Sequence, residues 1–186
     1  VCASAAVIGS VCGVFSWFDT ASIFLLLVSV GGFMLYYRDT GKKFMDAVEK
    51  FSSEISKEKE LAGLISSATE KIREMSAGDN VFITVADRAG AMYMPAREGR
   101  PGSSIPRNGG AAWKVFASGR PYFTQRVESA KDLPFYRDAR SLMSAPLFAE
   151  GDKIGVLQIE SRVADAFSEE DVQKLELIAF VLSHSI

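Results

Sequence analysis

SLMSAPLFAEGDKIGVLQIESRVADAFSEEDVQKLELIAFVLSHSI, residues 141–186, is the stretch whose reading decides the fold. Two apolar runs, 141–148 and 153–160, flank AEGD at 149–152. A turn-forming tetrapeptide between two strand-like runs predicts a β-hairpin. Ile154, Val156 and Ile159 are the packing candidates of the second run. A helix follows. Ser168 is placed to cap its N-terminus, and Asp171, three residues on, to return the hydrogen bond as a capping box. Phe167 before the cap and Val172 at the fourth helical position form the expected hydrophobic staple. Val172, Leu175, Ile178, Ala179 and Leu182 then recur at helical spacing.

Upstream, short apolar runs alternate with turn signals. Residues 81–85 read as a strand, Asp87, Arg88, Ala89 and Gly90 as a turn, and 91–95 as the returning strand. Residues 97–110 hold four glycines and two prolines and predict a loop. Residues 111–118 form a short helix carrying Trp113, Val115 and Phe116, with Gly119 at the position after its end and Pro121 just beyond. Residues 122–127 read as a strand, and 128–138, with Phe135 and Tyr136, as a polar, partly helical connection. This order predicts an α+β fold, a central, mostly antiparallel sheet with flanking helices.

The 186 residues carry 21 basic and 23 acidic side chains, a net charge of −2, yet only Asp19 is charged among the first 37. Residues 1–18 and 21–37 have no charge, a length near the lower limit for crossing a bilayer, and Trp17, Tyr36 and Tyr37 sit where membrane interfaces favour aromatics. Residues 1–37 are therefore expected to form a transmembrane helical hairpin in the lipid bilayer. Arg38, Lys42, Lys43 and Lys50 follow, and no basic residue precedes. The positive-inside rule then puts everything after residue 38 in the cytoplasm, and a multi-pass inner-membrane protein is expected. A cleaved signal peptide would need a basic n-region, which is missing here.

Residues 38–60 read as a helical connector. Phe44, Val48, Phe51 and Ile55 follow 4-3-4 spacing, and the register runs on through Glu58, Ala62, Ile65, Thr69 and Ile72. This predicts a short, imperfect coiled coil and a homodimer through the connector and the terminal helix. The helix over 61–75 is expected to pack on its own domain, which spans 61–186.

A net charge near zero argues against a nucleic-acid partner. Cys2 and Cys12 are the only cysteines and lie in the apolar segment, so the rest of the chain has no disulfide framework, thiolate metal site or cysteine nucleophile. His184 is the only histidine, which leaves no zinc set. GRPGSS at 99–104 lacks the Gly-Lys-Ser/Thr ending of a phosphate loop. No catalytic residue, metal or cofactor is expected, and the chain reads as a non-enzyme. Arg97, Arg100, Arg107, Arg120, Arg126, Arg137 and Arg140 are either oxyanion-binding groups or a solvated face.

Two motifs carry a resemblance. SSIPRNGGAAWKVFASGRPYFTQ at 103–125 resembles the middle motif of GAF domains, a Gly-containing loop leading into a helix that ends in a "tGrp"-like turn. GVLQIES at 155–161 and AFSEEDVQKLELIAFVLSHSI at 166–186 resemble their C-terminal end. The resemblance implies a GAF-like fold and a small-molecule-binding, dimerising module of a signalling protein. It places the pocket between one sheet face and cover segments around 107–116 and 133–140. Trp113, Phe116, Phe123 and Tyr136 would be its walls, and Arg107, Arg140 and Ser144 its polar anchors. The implied role is a membrane-anchored sensor of the two-component or cyclase type, passing a signal through the last helix to an output domain beyond Ile186. The alternative is a filled GAF fold serving dimerisation and protein interaction. Cyclic-nucleotide-binding members share an Asn-Lys…Phe-x-x-x-Asp-Glu motif. Phe167 and Asp171 match it, but Val172 stands for the Glu and Asn-Lys is missing, so that ligand is not implied. Nor has the pocket region a cysteine or histidine for bilin or haem.

Overall fold

The computed structural model describes residues 3–95, 102–105, 107 and 110–186, and divides into two units, Val1–Asp46 and Ala47–Ile186. One helix, α1 (Ala3–Ile55), opens the chain. The expected membrane hairpin needed a break at 17–20, and none forms. Trp17, Phe18, Asp19 and Thr20 include neither glycine nor proline, and an established helix gains a hydrogen bond with each residue added. Among the described residues no helix is long and apolar enough to cross a membrane. The side chains of residues 1–24, on which much of that expectation rests, lie outside the described ones.

The second unit begins within α1. Val48, Phe51 and Ile55, expected to face a second copy, are buried inside this chain. Lys71 of α2 (Leu61–Met75) lies 3.4 Å from Glu54 and ties the last turn of α1 to α2. The single register expected through Glu58 is interrupted, because residues 56–60 are polar or charged throughout and offer nothing to bury. Leu64, Ile65, Ala68 and Ile72 are the buried face of α2.

Six strands follow: β1 (Asn80–Ala86), β2 (Met92–Met94), β3 (Ser103–Ser104), β4 (Tyr122–Thr124), β5 (Ser141–Ala149) and β6 (Asp152–Ser161). They form one sheet in the order β3-β2-β1-β6-β5-β4, antiparallel at every seam. Between them lie α3 (Ala111–Ser118) and α4 (Ser129–Asp132), and α5 (Glu169–Ser183) closes the chain. The β5–β6 loop is the two residues Glu150 and Gly151, with φ of 51° and 90°. Positive φ at both is the turn whose twist matches the strands it joins. Strand β4 stops at Thr124, short of the expected Val127. There the Thr124 hydroxyl accepts the Arg126 N–H at 3.3 Å and donates to the Arg126 carbonyl at 2.9 Å, a local turn that competes with the ladder.

Strand parity divides the core. Register pairs Phe82↔Gln158, Thr84↔Val156, Leu142↔Glu160, Ser144↔Gln158 and Tyr122↔Ser144 put these side chains on one sheet face. Helix α3 covers that face, with Ala112 and Val115 in a buried cluster with Met92, Ile105 and Val156. Val81, Ile83, Met143, Ala145, Leu157 and Ile159 point the other way, where α2 packs on β1 and α5 on β5. The cap of α5 forms as expected. Ser168 Oγ accepts the Asp171 N–H at 3.3 Å, and Asp171 Oδ2 accepts the Ser168 N–H at 2.9 Å. Phe167 and Val172 are both buried beside it. Gly119, at φ 66°, ends α3 and donates its N–H to the Val115 carbonyl at 2.8 Å.

Candidate functional site

A cavity of about 430 Å³ opens on the α3 face of the sheet, lined by Met94, Ile105, Trp113, Leu133, Phe135 and Arg137 among others. Its walls are α3 and the segment after α4. Two buried carboxylates fasten that segment. Asp132, 2% exposed, accepts the Tyr122 hydroxyl at 2.7 Å and the Glu128 N–H at 2.8 Å. Burial, reinforced by Asp132, pushes the Tyr122 phenol up to about 12, so it stays protonated and donates. Lys114 of α3 donates to the Lys131 carbonyl at 2.7 Å and lies 3.7 Å from Asp132, joining the two walls.

Leu133 follows in the left-handed region at φ 44°. For a branched L-residue this costs about 1–2 kcal/mol. The conformation is held from both sides, by Asp132 before it and Glu160 after it. Glu160, on β6, is fully buried and accepts the N–H groups of Phe135 at 2.7 Å and Tyr136 at 2.8 Å. Gln158 Nε2 donates to Glu160 Oε1 at 2.6 Å, and Ser144 Oγ donates to Gln158 Oε1 at 2.8 Å. Burial pushes the Glu160 carboxyl above the ordinary range, and these donors pull it partly back. The result is a polar line across the sheet floor ending on the backbone of the cavity wall. Phe135 completes the contact by packing on Phe82, ring centroids 5.1 Å apart.

Trp113 is the opposite wall. It meets the edge of Phe116 at 5.7 Å, and the Arg107 guanidinium lies 5.3 Å from its ring centroid. Its indole Nε1 is buried with no hydrogen-bond partner among the described residues.

Of the seven residues expected in the pocket, Trp113 lines this cavity, while Arg107 lies against the Trp113 ring and is not one of the lining residues. Arg107 also donates to the carbonyls of Ala89 and Gly90, at 3.4 and 3.3 Å. Tyr136 adjoins the cavity wall through its backbone, while its ring lies 5.9 Å from the Arg162 guanidinium. Ser144 is buried in the floor. Phe116 lines a separate cavity with Lys153, and Arg140 another with Arg137 and Arg162. Phe123 pairs with Met143 and takes the opposite sheet face, so it is not part of the site. Sequence reasoning missed Glu160, Gln158 and Asp132. The available signal was Gln158 and Glu160 alternating with Leu157 and Ile159 in an apolar strand. Among the described residues no group of three His, Cys, Asp or Glu could hold a metal ion.

The family model of the GAF domain matches residues 57–186. The chain belongs to the GAF domain family. Solved structures agree on the GAF fold. The GAF domain of an Acinetobacter phosphoenolpyruvate-protein phosphotransferase is 16% identical with a TM-score of 0.67, over 76% of this chain and 90% of that one. The free methionine-R-sulfoxide reductase of Neisseria meningitidis, solved with its substrate, is 20% identical with a TM-score of 0.65, over 76% and 87%. A type II enzyme of the same activity from Thermoplasma acidophilum is 19% identical with a TM-score of 0.58, over 73% and 94%. At these identities the likeness shows the fold. No curated protein sequence matches this GAF chain. The expectation of a non-enzyme is corrected here. This fold houses reductases, so the missing catalytic constellation is no ground for excluding an enzyme.

Proposed function

We propose that this GAF domain is the sensory part of a membrane-anchored signalling protein and binds a small molecule between Trp113 and Phe135. The observation that carries the proposal is the Trp113 indole, which lines the cavity while its N–H is buried and unpaired among the described residues. An unmet buried donor costs about 1–3 kcal/mol, and a ligand acceptor recovers it. A volume of about 430 Å³ falls within the range of small-molecule sites and favours ligand binding over a filled fold used only for interaction. Attachment to the inner membrane, with the GAF domain cytoplasmic, is supported by the single charge in residues 1–37 and the basic residues after them.

Occupancy would settle the Leu133–Pro134–Phe135 wall, whose backbone hangs on β6, and β6 pairs with β5 beneath α5. A ligand with unequal affinity for two arrangements of that wall shifts their populations, which is the signal. Phe180, 61% exposed on α5, gives the terminal helix an apolar contact for a homodimer.

Intrinsic fluorescence of the full chain carrying Trp17→Phe leaves Trp113 as the sole indole. Across a broad metabolite panel, at least one compound is expected to shift its emission and raise Tm. Trp113→Phe keeps an aromatic side chain but removes the N–H and the fluorophore, so its affinity is read from the Tm shift, and it should bind that compound about tenfold more weakly. A panel with no compound moving either signal would defeat the proposal.

A further inference from the structure

Arg137, Arg140 and Arg162 line a second cavity of about 480 Å³ with Val127, Asp138 and Ala139. Arg140 immediately precedes β5 and Arg162 immediately follows β6. Ser141↔Ser161 is the last pair of that ladder, and the Arg140 N–H donates to the Ser161 carbonyl at 2.7 Å. The two arginines therefore flank the same end of that seam. Arg162 has a counter-charge, with Asp79 Oδ1 3.6 Å from its guanidinium. The Arg137 and Arg140 side chains have no ion pair or hydrogen bond among the described residues, and Asp138 is the one carboxylate among the lining residues.

Several of the backbone donors here are already used. Val127 donates to the Arg140 carbonyl, Ala139 to the Tyr136 carbonyl and Arg162 to Asp79 Oδ2. The three guanidinium groups add forked, charged donors that match an oxyanion. Arg137 lines this cavity and the Trp113 cavity as well.

We propose that the ligand is amphiphilic: a ring-sized apolar body against Trp113 and Phe135, and an oxyanion group (carboxylate, sulfonate or phosphate) held by Arg137, Arg140 and Arg162. This deepens the small-molecule reading above and rests on it.

Two dyes of matched body test it in the full chain carrying Trp17→Phe, with Trp113 as energy-transfer donor. One is 8-anilinonaphthalene-1-sulfonate, the other its uncharged parent N-phenyl-1-naphthylamine. Both should quench Trp113. Arg140→Gln and Arg162→Gln should each raise the sulfonate's Kd about tenfold and leave the parent's unchanged. Added salt should weaken only the sulfonate. Arg140→Lys, a charge without the fork, should fall between. The Arg140 side chain is exposed and unbonded, so Arg140→Gln keeps the fold, as a thermal melt would verify. A sulfonate Kd indifferent to both substitutions, with the parent still bound beside Trp113, overturns the oxyanion grip alone. If the parent does not reach Trp113, the apolar-cavity reading falls and this inference with it.

Discussion

Phe135 and Glu160 lie 25 residues apart, and the Phe135 N–H donates to Glu160 Oε1 at 2.7 Å. One residue is in the cavity wall, the other in the sheet floor. The wall is therefore a main-chain segment suspended from a buried carboxylate, with the neighbouring Tyr136 N–H on the second oxygen. Its position depends on an acceptor with enough lone pairs for all three of its donors.

Glu160→Gln removes that capacity. Glutamine offers one carbonyl and turns an NH₂ toward groups that are themselves donors. A buried donor left unmet makes the expected loss about 2–3 kcal/mol in urea unfolding. Amide exchange at Phe135 and Tyr136 should quicken more than in β1 or β6. An unchanged unfolding midpoint would show that the wall is held by other contacts.

Asp79 and Glu160 should titrate on opposite sides of their ordinary values. The Arg162 N–H, then the Ser161 hydroxyl and the Arg162 charge, outweigh burial and hold Asp79 below 3.8. Folding favours its charged form, so its contribution is complete above 3.8 and is lost as pH falls through the lower folded value. For Glu160 burial outweighs the donors and holds the carboxyl above 4.5. Folding favours its protonated form, so its contribution is complete below 4.5 and is lost as pH rises through the higher folded value. Carboxyl carbon NMR reads both directly. Asp79→Asn should flatten the acid limb of stability, and an Asp79 midpoint above 3.8 would contradict the assignment.

Gly155 of β6 lies opposite Val85, and a Cβ there would collide with the Thr84 carbonyl. Thr84 also bonds across this seam, its hydroxyl donating to the Val156 carbonyl and accepting the Val156 N–H, both at 3.1 Å. Gly155→Ala must push the two central strands apart and should cost about 2–4 kcal/mol. Wild-type stability in denaturant would mean that the seam has room to spare.

Glu150→Asn should act in the opposite sense. Glu150 occupies the left-handed region at φ 51° in the β5–β6 turn, beside Gly151. Asparagine tolerates that conformation and Asn-Gly is the favoured pair for such a turn, so a gain of about 0.5–1 kcal/mol is expected. A lower Tm would count against the turn assignment.

What the sequence made legible was local chemistry. Ser168 and Asp171, Gly119 after α3, and the β5–β6 hairpin each act over a few residues, and each forms where expected. Elements set by distant partners were harder to read. Ser103 and Ser104 have no strand pattern and become β3 only because Tyr93 and Met94 pair with them. The break between α1 and α2 is hidden by an apolar register that continues on both sides of it. In the site, Trp113 was visible as an aromatic in a recognisable helix. The direction of Phe123 depends on the β4–β5 register, which no local pattern reveals. Nothing local marks Glu160 and Asp132 as buried, because most of the donors that make their burial tolerable come from elsewhere in the chain. Arg140 was picked out as an anchor, but one strand end decides which cavity it joins.

The central seam of the sheet joins β1 to β6, and Thr84 bonds Val156 across 72 residues of chain. That separation fixes the order of assembly. Closing so long a loop precedes any gain from the pairing, which makes the seam a late and slow event in folding. During synthesis β1 and β2 emerge and must wait for the strand that lies between them and β5. A chain halted before residue 152 holds β1 with its inner edge bare, a template for pairing with another unfinished copy.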